Sequence, residues 1–285
     1  MGDPETPGAP TSPRDDPTAP PDAAWGPFAA SESESAPGVT VTAPPVAAVV
    51  VTCDPGVWLE ASLEALRAQD YPDLTVLVID AGSVEDPTAR VAAELPGAFV
   101  RRVDGESSFA AAANEALRLV EGAAFLALCH DDVVLERSAI RLMLEEAYRS
   151  NAGIVGAKLV EETNPRVLLE VGMAIDRFGG PHSDIEPDEL DQEQHDSVRD
   201  VFYVSSAAML IRFDLFAELE GFDPRVSPGG EDLDLCWRAR LAGARVLVAP
   251  DARARSISSA TRVRRWSTCC RGRPCTPLSR PSRSS

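Results

Sequence analysis

Two adjacent acids, Asp131 and Asp132, follow His130 at the end of a strongly apolar run that begins at Ala123. Neighbouring carboxylates at the end of a buried strand repel each other unless a cation or hydrogen-bond donors compensate them. A hard divalent cation that also binds phosphate oxygens is the natural partner of such a pair. The alternative is structural: one acid caps the helix that we expect near Glu136, and the other is solvated.

Two earlier apolar runs also end in polar residues. Thr52 and Asp54 follow the first run, and Asp80 and Gly82 follow the second. A carboxylate in this position can accept a hydrogen bond from a nucleotide base or a ribose hydroxyl, and a glycine lets the backbone pass close to a ring. Each group alone could equally be a turn or a helix cap. Because ligands of open α/β sheets bind beyond the carboxyl ends of the strands, the three ends taken as a set favour a nucleotide site.

A further pair of acids, Glu231 and Asp232, follows Gly229-Gly230 at the start of a helical pattern. Acids in the first turn of a helix interact favourably with its dipole, which is the structural explanation. The functional alternative is a general base: a carboxylate at a helix N-terminus that receives the proton of a substrate hydroxyl.

Apolar strands alternate with helices through the first half of the chain, which predicts a mainly parallel central sheet with helices on both faces, an α/β fold. After about residue 150 the strands follow one another without full crossover helices, and an acid-rich stretch at 176–200 is expected to be a solvated loop. The predicted strands are Val46–Val51, Leu74–Ile79, Phe99–Val103, Ala123–Cys129, Ile154–Val160, Val167–Ile175, Val201–Ile211 and Arg245–Val248, and the predicted helices include Phe109–Val120, Arg137–Arg149, Phe213–Glu220 and Glu231–Ala242.

Composition divides the 285 residues into three parts. Residues 1–45 are rich in proline and poor in large apolar residues, which predicts a disordered leader. Residues 46–251 are expected to form one folded domain. Residues 252–285 hold nine Arg and no acid, and we expect a disordered basic tail.

The net charge of −18 argues against a nucleic-acid partner. No apolar run is long enough to span a bilayer, and the N-terminus does not resemble a signal peptide. We therefore expect the protein in the cytoplasm, including the inner face of the plasma membrane.

Six motifs follow one another along the stretch 46–251: Thr52-Cys-Asp54, Asp80-Ala-Gly-Ser83, Phe109-Ala-Ala-Ala-Ala-Asn114, His130-Asp-Asp132, Gly221-Phe-Asp223 and Gly230-Glu-Asp-Leu-Asp-Leu-Cys-Trp-Arg238. They occur in the order seen in family 2 glycosyltransferases, which this stretch resembles. The resemblance implies the GT-A fold and transfer of a sugar from a nucleotide-diphosphate donor to a hydroxyl, with inversion and with Mg²⁺ or Mn²⁺. The sequence looks most like actinobacterial cell-envelope members, which implies a carbohydrate or lipid-linked acceptor in polysaccharide or glycolipid synthesis.

The resemblance also implies a role for individual residues. The implied donor-binding residues are Thr52, Asp54, Asp80, Gly82, Asn114 and Asp131; the implied metal ligand is Asp132; and the implied catalytic residues are Asp232 as base and Glu231 as its orienting neighbour. His130 stands where the family's metal-binding motif has its first acid, so Asp132 is the stronger metal candidate.

The C-terminus departs from the family pattern, because no histidine follows His195, whereas family members usually carry one after the last strand. We expect a truncated or frame-shifted C-terminus; the alternatives are a basic tail for an anionic partner or a zinc site, against which three cysteines without a nearby histidine argue. The competing functions are a catalytically impaired nucleotide-sugar-binding domain and a sugar nucleotidyltransferase. A nucleotidyltransferase ordinarily carries a glycine-rich basic loop after the first strand, and this chain has none there.

Overall fold

The computed structural model describes residues 43–103, 107–226 and 228–257. Its strands are β1 (Val46–Thr52), β2 (Leu74–Asp80), β3 (Phe99–Arg102), β4 (Phe125–His130), β5 (Val133–Leu135), β6 (Ile154–Glu161), β7 (Leu168–Glu170), β8 (Ala174–Ile175), β9 (Pro181–His182), β10 (Arg199–Asp200), β11 (Ala208–Arg212) and β12 (Val246–Ser256). Its helices are α1 (Leu59–Arg67), α2 (Thr88–Glu94), α3 (Phe109–Ala113), α4 (Ala116–Leu119), α5 (Ala139–Ser150), α6 (Phe213–Glu218) and α7 (Glu231–Leu241).

One large sheet organises these elements in the order β10-β12-β6-β11-β4-β1-β2-β3, with β5 attached to β12 and β7 to β6. Strands β3, β2, β1 and β4 are parallel neighbours. Strand β11 is antiparallel to both β4 and β6, and β12 is parallel to β6. All the long strands except β11 therefore run in the same direction, and the predicted mainly parallel α/β sheet is confirmed.

Strand β1 lies at the centre of the fold, and all seven of its residues are buried. Side chains of a strand point alternately to its two faces. Those at 46, 48 and 50 pack with apolar residues of α1 and α5 in one core cluster. Those at 47, 49 and 51 are equally buried although they point the other way, so the sheet is covered on both faces, as the unbroken apolar run predicts.

The predicted helix Phe109–Val120 is wrong as a single element, because it breaks between α3 and α4 at Asn114. The Asn114 Nδ2 donates to the carbonyl of Phe222 at 2.7 Å, and its Oδ1 accepts from the Phe222 amide at 2.9 Å. The backbone bonds then shift to three-residue spacing, since the amide of Glu115 donates to the carbonyl of Ala112. A long-range side-chain contact thus interrupts a locally favourable helix.

Two predicted strands are also shorter than expected. The stretch 167–175 divides into β7 and β8 at Gly172. Its φ of +69° is a conformation that glycine adopts readily, and a Cβ at this position would collide with the Val201 side chain. The stretch 201–211 forms a strand only from Ala208 onward. Before Ala208 the amide of Ser205 bonds to the Glu170 carboxylate at 2.9 Å instead of to a neighbouring strand.

Strand β12 extends well past its predicted end at Val248 and past the expected tail boundary at residue 252. After an irregularity in its register it pairs with β5 and with the second half of β6, and Ala252, Ala254 and Ser256 are buried. Alternating small and Arg residues here form a strand rather than the start of a tail. The predicted leader through residue 42 and the predicted tail from residue 258 lie outside the described residues. None of the helices in the described ranges is long and apolar enough to span a bilayer.

The predicted acidic loop at 176–200 contains only the short strands β9 and β10, but it is tied to the sheet by a buried lysine. Lys158 of β6 is 1% exposed, and its Nζ contacts carboxylate oxygens of Asp191, at 3.2 Å, and of Asp196. Asp191 also pairs with Arg253 of β12 at 3.1 Å. The loop is therefore anchored by charge pairs that a polar composition alone does not indicate.

Removal of the Lys158 charge should destabilise the protein. Lys158→Met keeps most of the side-chain volume but leaves two carboxylates with less compensation, so we expect the free energy of unfolding to fall by about 3 kcal/mol. Urea unfolding measures this. The exposed Arg67, which lies 3.8 Å from Glu64, is the control, and Arg67→Met should cost less than about 1 kcal/mol. A Lys158→Met variant as stable as this control would contradict the anchoring role.

Candidate active site

Three consecutive strand ends meet at one edge of the sheet. Strand β1 lies between β2 and β4, both parallel to it, with Thr52 opposite Asp80 and Val51 opposite His130. Because the three strands end at the same level, their polar continuations share one edge. The structure thereby brings Thr52, Asp80 and the His130–Asp132 segment together, as predicted from the strand ends.

The Asp131 carboxylate is held from β1. The hydroxyl of Thr52 donates to Asp131 Oδ2 at 2.6 Å, and both residues are buried. A buried carboxylate needs such a donor, since it has lost most of its hydration. Asp132, next along the chain, is buried as well, and its backbone carbonyl accepts from the amide of Ile257 at 3.0 Å. The end of β12 thus holds this segment in place.

The loops after β1 and β2 are joined by Ser83. Its hydroxyl donates to Asp80 Oδ1 at 2.5 Å and accepts from the Asp54 amide at 2.8 Å. In return, Asp54 Oδ1 accepts from the amide of Val84 at 2.8 Å. Gly82 has a φ of +93°, which explains why a glycine stands in this turn. The two loops therefore form one hydrogen-bonded unit.

Asp80 is compensated by a residue that the sequence analysis did not single out. Asp80 is fully buried, and Arg102 at the end of β3 places its Nε 3.0 Å from Asp80 Oδ2. Arg102 also contacts Asp86 at 3.3 Å. The predicted strands could have indicated this contact, because parallel pairing of β2 with β3 sets Asp80 opposite Arg102. Contact between Asp80 and a nucleotide stays a prediction, and in this conformation the protein itself holds the carboxylate.

A cavity of about 370 Å³ lies between the same two loops. Arg90 forms one side of it, donating to the carbonyls of Pro55 and Gly56 and pairing with Glu60 at 2.7 Å. The cavity therefore has fixed walls of mixed charge. Its lining residues are Asp54, Pro55, Val84, Glu85, Asp86, Pro87 and Arg90.

Asn114 is committed to a structural contact. Both of its amide atoms bond the backbone of Phe222, and a side chain at Gly221, where φ is +71°, would collide with the amide oxygen. The contact fixes the loop that precedes α7. A direct contact of Asn114 with a nucleotide stays a prediction.

The candidate base, Asp232, stands in the first turn of α7. Glu231 accepts from the Gly229 amide and so fixes the start of the helix. The Asp232 side chain is partly buried, and its Oδ1 is shielded from water without a hydrogen-bond partner in the described part of the chain. Burial, together with the nearby charges of Glu231 and Glu170, raises the pKa of Asp232 to about 7, although Ser206 acts in the opposite direction and lowers it. A carboxyl with a pKa near neutrality suits proton transfer.

Ser206 connects this base to the strand ends. Ser206 lies near enough to Asp232 to lower the pKa of its carboxyl, and the Ser206 hydroxyl oxygen lies 3.3 Å from His130 Nε2. The His130 ring also packs edge-on against Phe109, with ring centroids 4.9 Å apart. The base on α7 and the acids after β4 are therefore parts of one continuous site. Sequence analysis missed Ser206 because it lay inside a predicted strand.

The acids after β4 suit a divalent cation that shares its coordination with a substrate. Two adjacent buried carboxylates supply hard oxygen ligands, Asp132 foremost, while His130 is engaged with Ser206. Residues 43–103, 107–226 and 228–257 contain no group of three or more His, Cys, Asp or Glu side chains that could hold a metal ion. Mg²⁺ is commonly bound by one or two carboxylates plus substrate phosphates, so the donor set fits an ion bound along with a diphosphate.

Residues 44–272 match the family described as glycosyltransferase like family 2. The chain belongs to this family. The O-antigen biosynthesis protein RfbC of Myxococcus xanthus is 28% identical over 230 residues, which cover 77% of this chain and 18% of that protein. The pre-mycofactocin glycosyltransferase of Mycobacterium tuberculosis is 30% identical over 128 residues, 44% of this chain and 25% of that protein. The chain thus matches only a minor part of each relative.

Solved structures confirm the GT-A fold of this family 2 domain. The structure of GalNAc-T7 with UDP, GalNAc and Mn²⁺ aligns with a TM-score of 0.63 at 14% identity and covers 75% of this chain and 43% of that one. The structure of S. aureus TarS residues 1–349 aligns with a TM-score of 0.56 at 17% identity and covers 75% of this chain and 60% of that one. At such identities the likeness shows the fold alone.

The raised pKa of Asp232 makes a stability prediction with a definite sign. In the unfolded chain this carboxyl ionises near its ordinary pKa of 3.8, whereas in the folded state it ionises near 7. Between these values the unfolded state has lost the proton that the folded state keeps, so this group's contribution to stability is lost as pH rises from about 4 to 7. Asp232→Asn removes that loss.

We expect Asp232→Asn to gain stability relative to the natural protein between pH 4 and pH 8, by up to roughly 4 kcal/mol. Urea unfolding at the two pH values measures the gain. Asp234→Asn is the control in the same helical turn, where the carboxylate pairs with Arg238 at 2.7 Å. An equal difference between Asp232→Asn and the natural protein at both pH values would contradict the raised pKa.

Proposed function

We propose that the chain is an inverting glycosyltransferase that moves a sugar from a nucleotide-diphosphate donor to a hydroxyl group of an acceptor. The observation that carries this proposal is the continuity between the β1, β2 and β4 ends and Asp232, which Ser206 and His130 join. A site with a nucleotide-binding edge and a separate base is what a direct displacement needs.

The proposed chemistry is a single displacement. The acceptor oxygen forms a bond to the anomeric carbon while the bond from that carbon to the diphosphate breaks, and Asp232 takes the acceptor proton. A base with a pKa of about 7 is largely ionised just above neutral pH and still basic enough to take that proton. Glu231 orients the start of α7 by accepting from the Gly229 amide.

The donor binds at the sheet edge formed by the ends of β1, β2 and β4. The cavity between the loops of Asp54 and Val84 accepts the nucleobase, and Thr52, Asp80 and Gly82 follow the same strand ends. Asp132, with Asp131 beside it, would hold Mg²⁺ or Mn²⁺, which when bound neutralises charge on the leaving diphosphate. Among the fold's relatives, GalNAc-T7 has been solved with UDP, GalNAc and Mn²⁺, which supports this arrangement.

The acceptor is proposed to be a carbohydrate or lipid-linked hydroxyl in cell-envelope polysaccharide or glycolipid synthesis, at the cytoplasmic side of the membrane. Support comes from the names of two relatives, an O-antigen biosynthesis protein and a pre-mycofactocin glycosyltransferase. The chain matches 18% and 25% of the length of those two proteins, so their names support the chemical class of the acceptor rather than its identity.

A screen of nucleotide-sugar donors tests donor binding. Donors that bind should raise the melting temperature of the protein, and the rise should depend on Mn²⁺. The rise should vanish in Asp132→Ala, which removes the main ligand of the ion, and persist in Asp73→Ala, an exposed acid before β2 at the opposite edge of the sheet. An unchanged Mn²⁺-dependent rise in Asp132→Ala would favour the helix-cap interpretation of that residue.

Loss of the base should separate binding from transfer. Asp232→Asn should bind the donor as the natural protein does, while kcat for transfer falls by roughly 10²–10⁴, the usual effect of removing a positioned base. Product formation on an acceptor panel measures transfer, and Asp234→Asn is the control from the same turn. Undiminished transfer by Asp232→Asn would overturn the base assignment, and donor binding without turnover in the natural protein would favour a binding domain.

A further inference from the structure

Arg90 on α2 holds the loop that follows β1 through its guanidinium group. Its Nε and Nη2 donate to the two carboxylate oxygens of Glu60 on α1, at 2.7 and 2.9 Å. Its Nη1 donates to the carbonyl of Pro55 at 3.0 Å, and Nη2 also donates to the carbonyl of Gly56 at 2.7 Å. These four hydrogen bonds, which we call the Arg90 clamp, join both helices to the loop.

The Arg90 clamp depends on the shape of a guanidinium group. Its planar fork matches the two oxygens of the Glu60 carboxylate, and the same group presents further N–H donors to the two carbonyls. The pKa of Glu60 is lowered chiefly by the hydrogen bonds from Arg90, so the pair is ionised at neutral pH. A lysine would carry the same charge but has no planar fork, so it cannot reproduce the clamp.

The loop is also fixed from its other side. Asp54 has a φ of +46°, a left-handed conformation that most residues avoid and that needs support from its surroundings. The loop after β2 supplies this support, because Ser83 accepts from the Asp54 amide and the Val84 amide donates to the Asp54 carboxylate. The ring of Trp58 lies so close to Gly56 that a Cβ there would collide with it. The loop is therefore held in one conformation by contacts all round it.

The cavity of about 370 Å³ lies between the loops that these contacts fix. Pro55 and Arg90 belong to its lining, together with Val84 and Pro87 from the segment after β2. The two prolines and the valine offer apolar surface, which suits a flat heterocycle. Because the Arg90 clamp sets the position of Pro55, it also sets the width of the cavity.

We propose that Arg90 is a positioning residue for the nucleobase of the donor, because it fixes the cavity wall before the nucleotide binds. This inference rests on the proposed function. A wall that is already ordered adds no ordering cost to binding, and binding is tighter for that reason. The four bonds of the clamp reach neither Asp132 nor Asp232. Loss of the clamp should therefore weaken contacts with the nucleobase and leave the chemical step unchanged.

Arg90→Met tests the inference, because it removes all four hydrogen bonds. Titration of the natural protein with UDP, dTDP, GDP, CDP and ADP, each with Mn²⁺, first identifies the nucleotides that bind. For these nucleotides we expect Kd to rise about tenfold in Arg90→Met, whereas Kd for pyrophosphate with Mn²⁺, which has no nucleobase, should change less than about twofold. KM for the donor should rise while kcat is unchanged. Equal weakening of nucleotide and pyrophosphate would overturn the inference.

Two further variants separate the fork from its charge. Arg90→Lys should recover only a minor part of the lost affinity, since one ammonium group cannot serve Glu60 and both carbonyls in the same geometry. Glu60→Gln should raise Kd less than Arg90→Met does, because the bonds to the carbonyls remain. In the double variant the two losses should not add, since both residues act through one clamp. Full recovery in Arg90→Lys, or additive losses in the double variant, would contradict the clamp.

Arg67 is the matched control, because it joins the same two helices at their other ends. Its Nη1 donates to the carbonyl of Glu94 at 3.2 Å, and Arg67 lies 3.8 Å from Glu64. Arg67→Met therefore alters a contact between α1 and α2 that is not part of the cavity lining, and we expect it to bind nucleotides as the natural protein does. A rise in Kd as large as that of Arg90→Met would assign the effect to helix packing and overturn the inference.

Amide hydrogen exchange tests the clamp without any ligand. The amides of Asp54 and Val84, which bond across the two loops, should exchange about tenfold faster in Arg90→Met. The Val46 amide, which bonds to the carbonyl of Asp73 at the other end of β1, should not change. If no nucleotide binds the natural protein, the proposed function fails, and faster exchange still supports Arg90 as the residue that orders the cavity wall. Unchanged exchange together with an unchanged Kd would overturn the inference.

Discussion

Parallel pairing of β1 with β2 on one side and with β4 on the other is the constraint on which the rest of this site depends. The register ends the three strands at the same level, so Thr52, Asp80 and His130 arrive at one edge although about 80 residues separate the first from the last. Backbone hydrogen bonds, which depend little on side-chain identity, set this arrangement. Side chains at the strand ends are therefore free to differ without loss of the sheet.

Hydrogen bonds and ion pairs within the protein explain how this edge can hold several buried acids. Asp131 has the Thr52 hydroxyl, and Asp80 has Ser83 and Arg102, so each is compensated within the protein. Asp232 has Ser206 against the combined effect of burial and two nearby glutamates, and its pKa rises to about 7. The difference in compensation separates the acids that are paired within the protein from the one whose pKa suits proton transfer.

Much of the sheet was predictable, because long apolar strands such as β1, β2 and β4 are specified by their own residues. The prediction failed where distant contacts decide local structure. Asn114 breaks a helix that its neighbours favour because it binds Phe222, and Arg253 and Arg255 lie in a strand despite a tail-like composition because β5 and β6 pair with them. That extension of β12 also holds Asp132 through Ile257. Arg102 and Ser206 were missed because each is a single polar residue inside a predicted strand, although the parallel pairing of β2 with β3 already sets Arg102 opposite Asp80.

The central claim is that the nucleotide diphosphate and its cation bind at the edge formed by β1, β2 and β4. A crystal structure with Mn²⁺ and a nucleoside diphosphate, with Mn²⁺ located by its anomalous scattering, tests this most directly. The account predicts an anomalous peak within about 2.3 Å of an Asp132 carboxylate oxygen and in contact with the diphosphate. It also predicts that the nucleobase lies in the cavity beside Asp54. A nucleotide bound at another face of the domain, with no Mn²⁺ at Asp132, would contradict it.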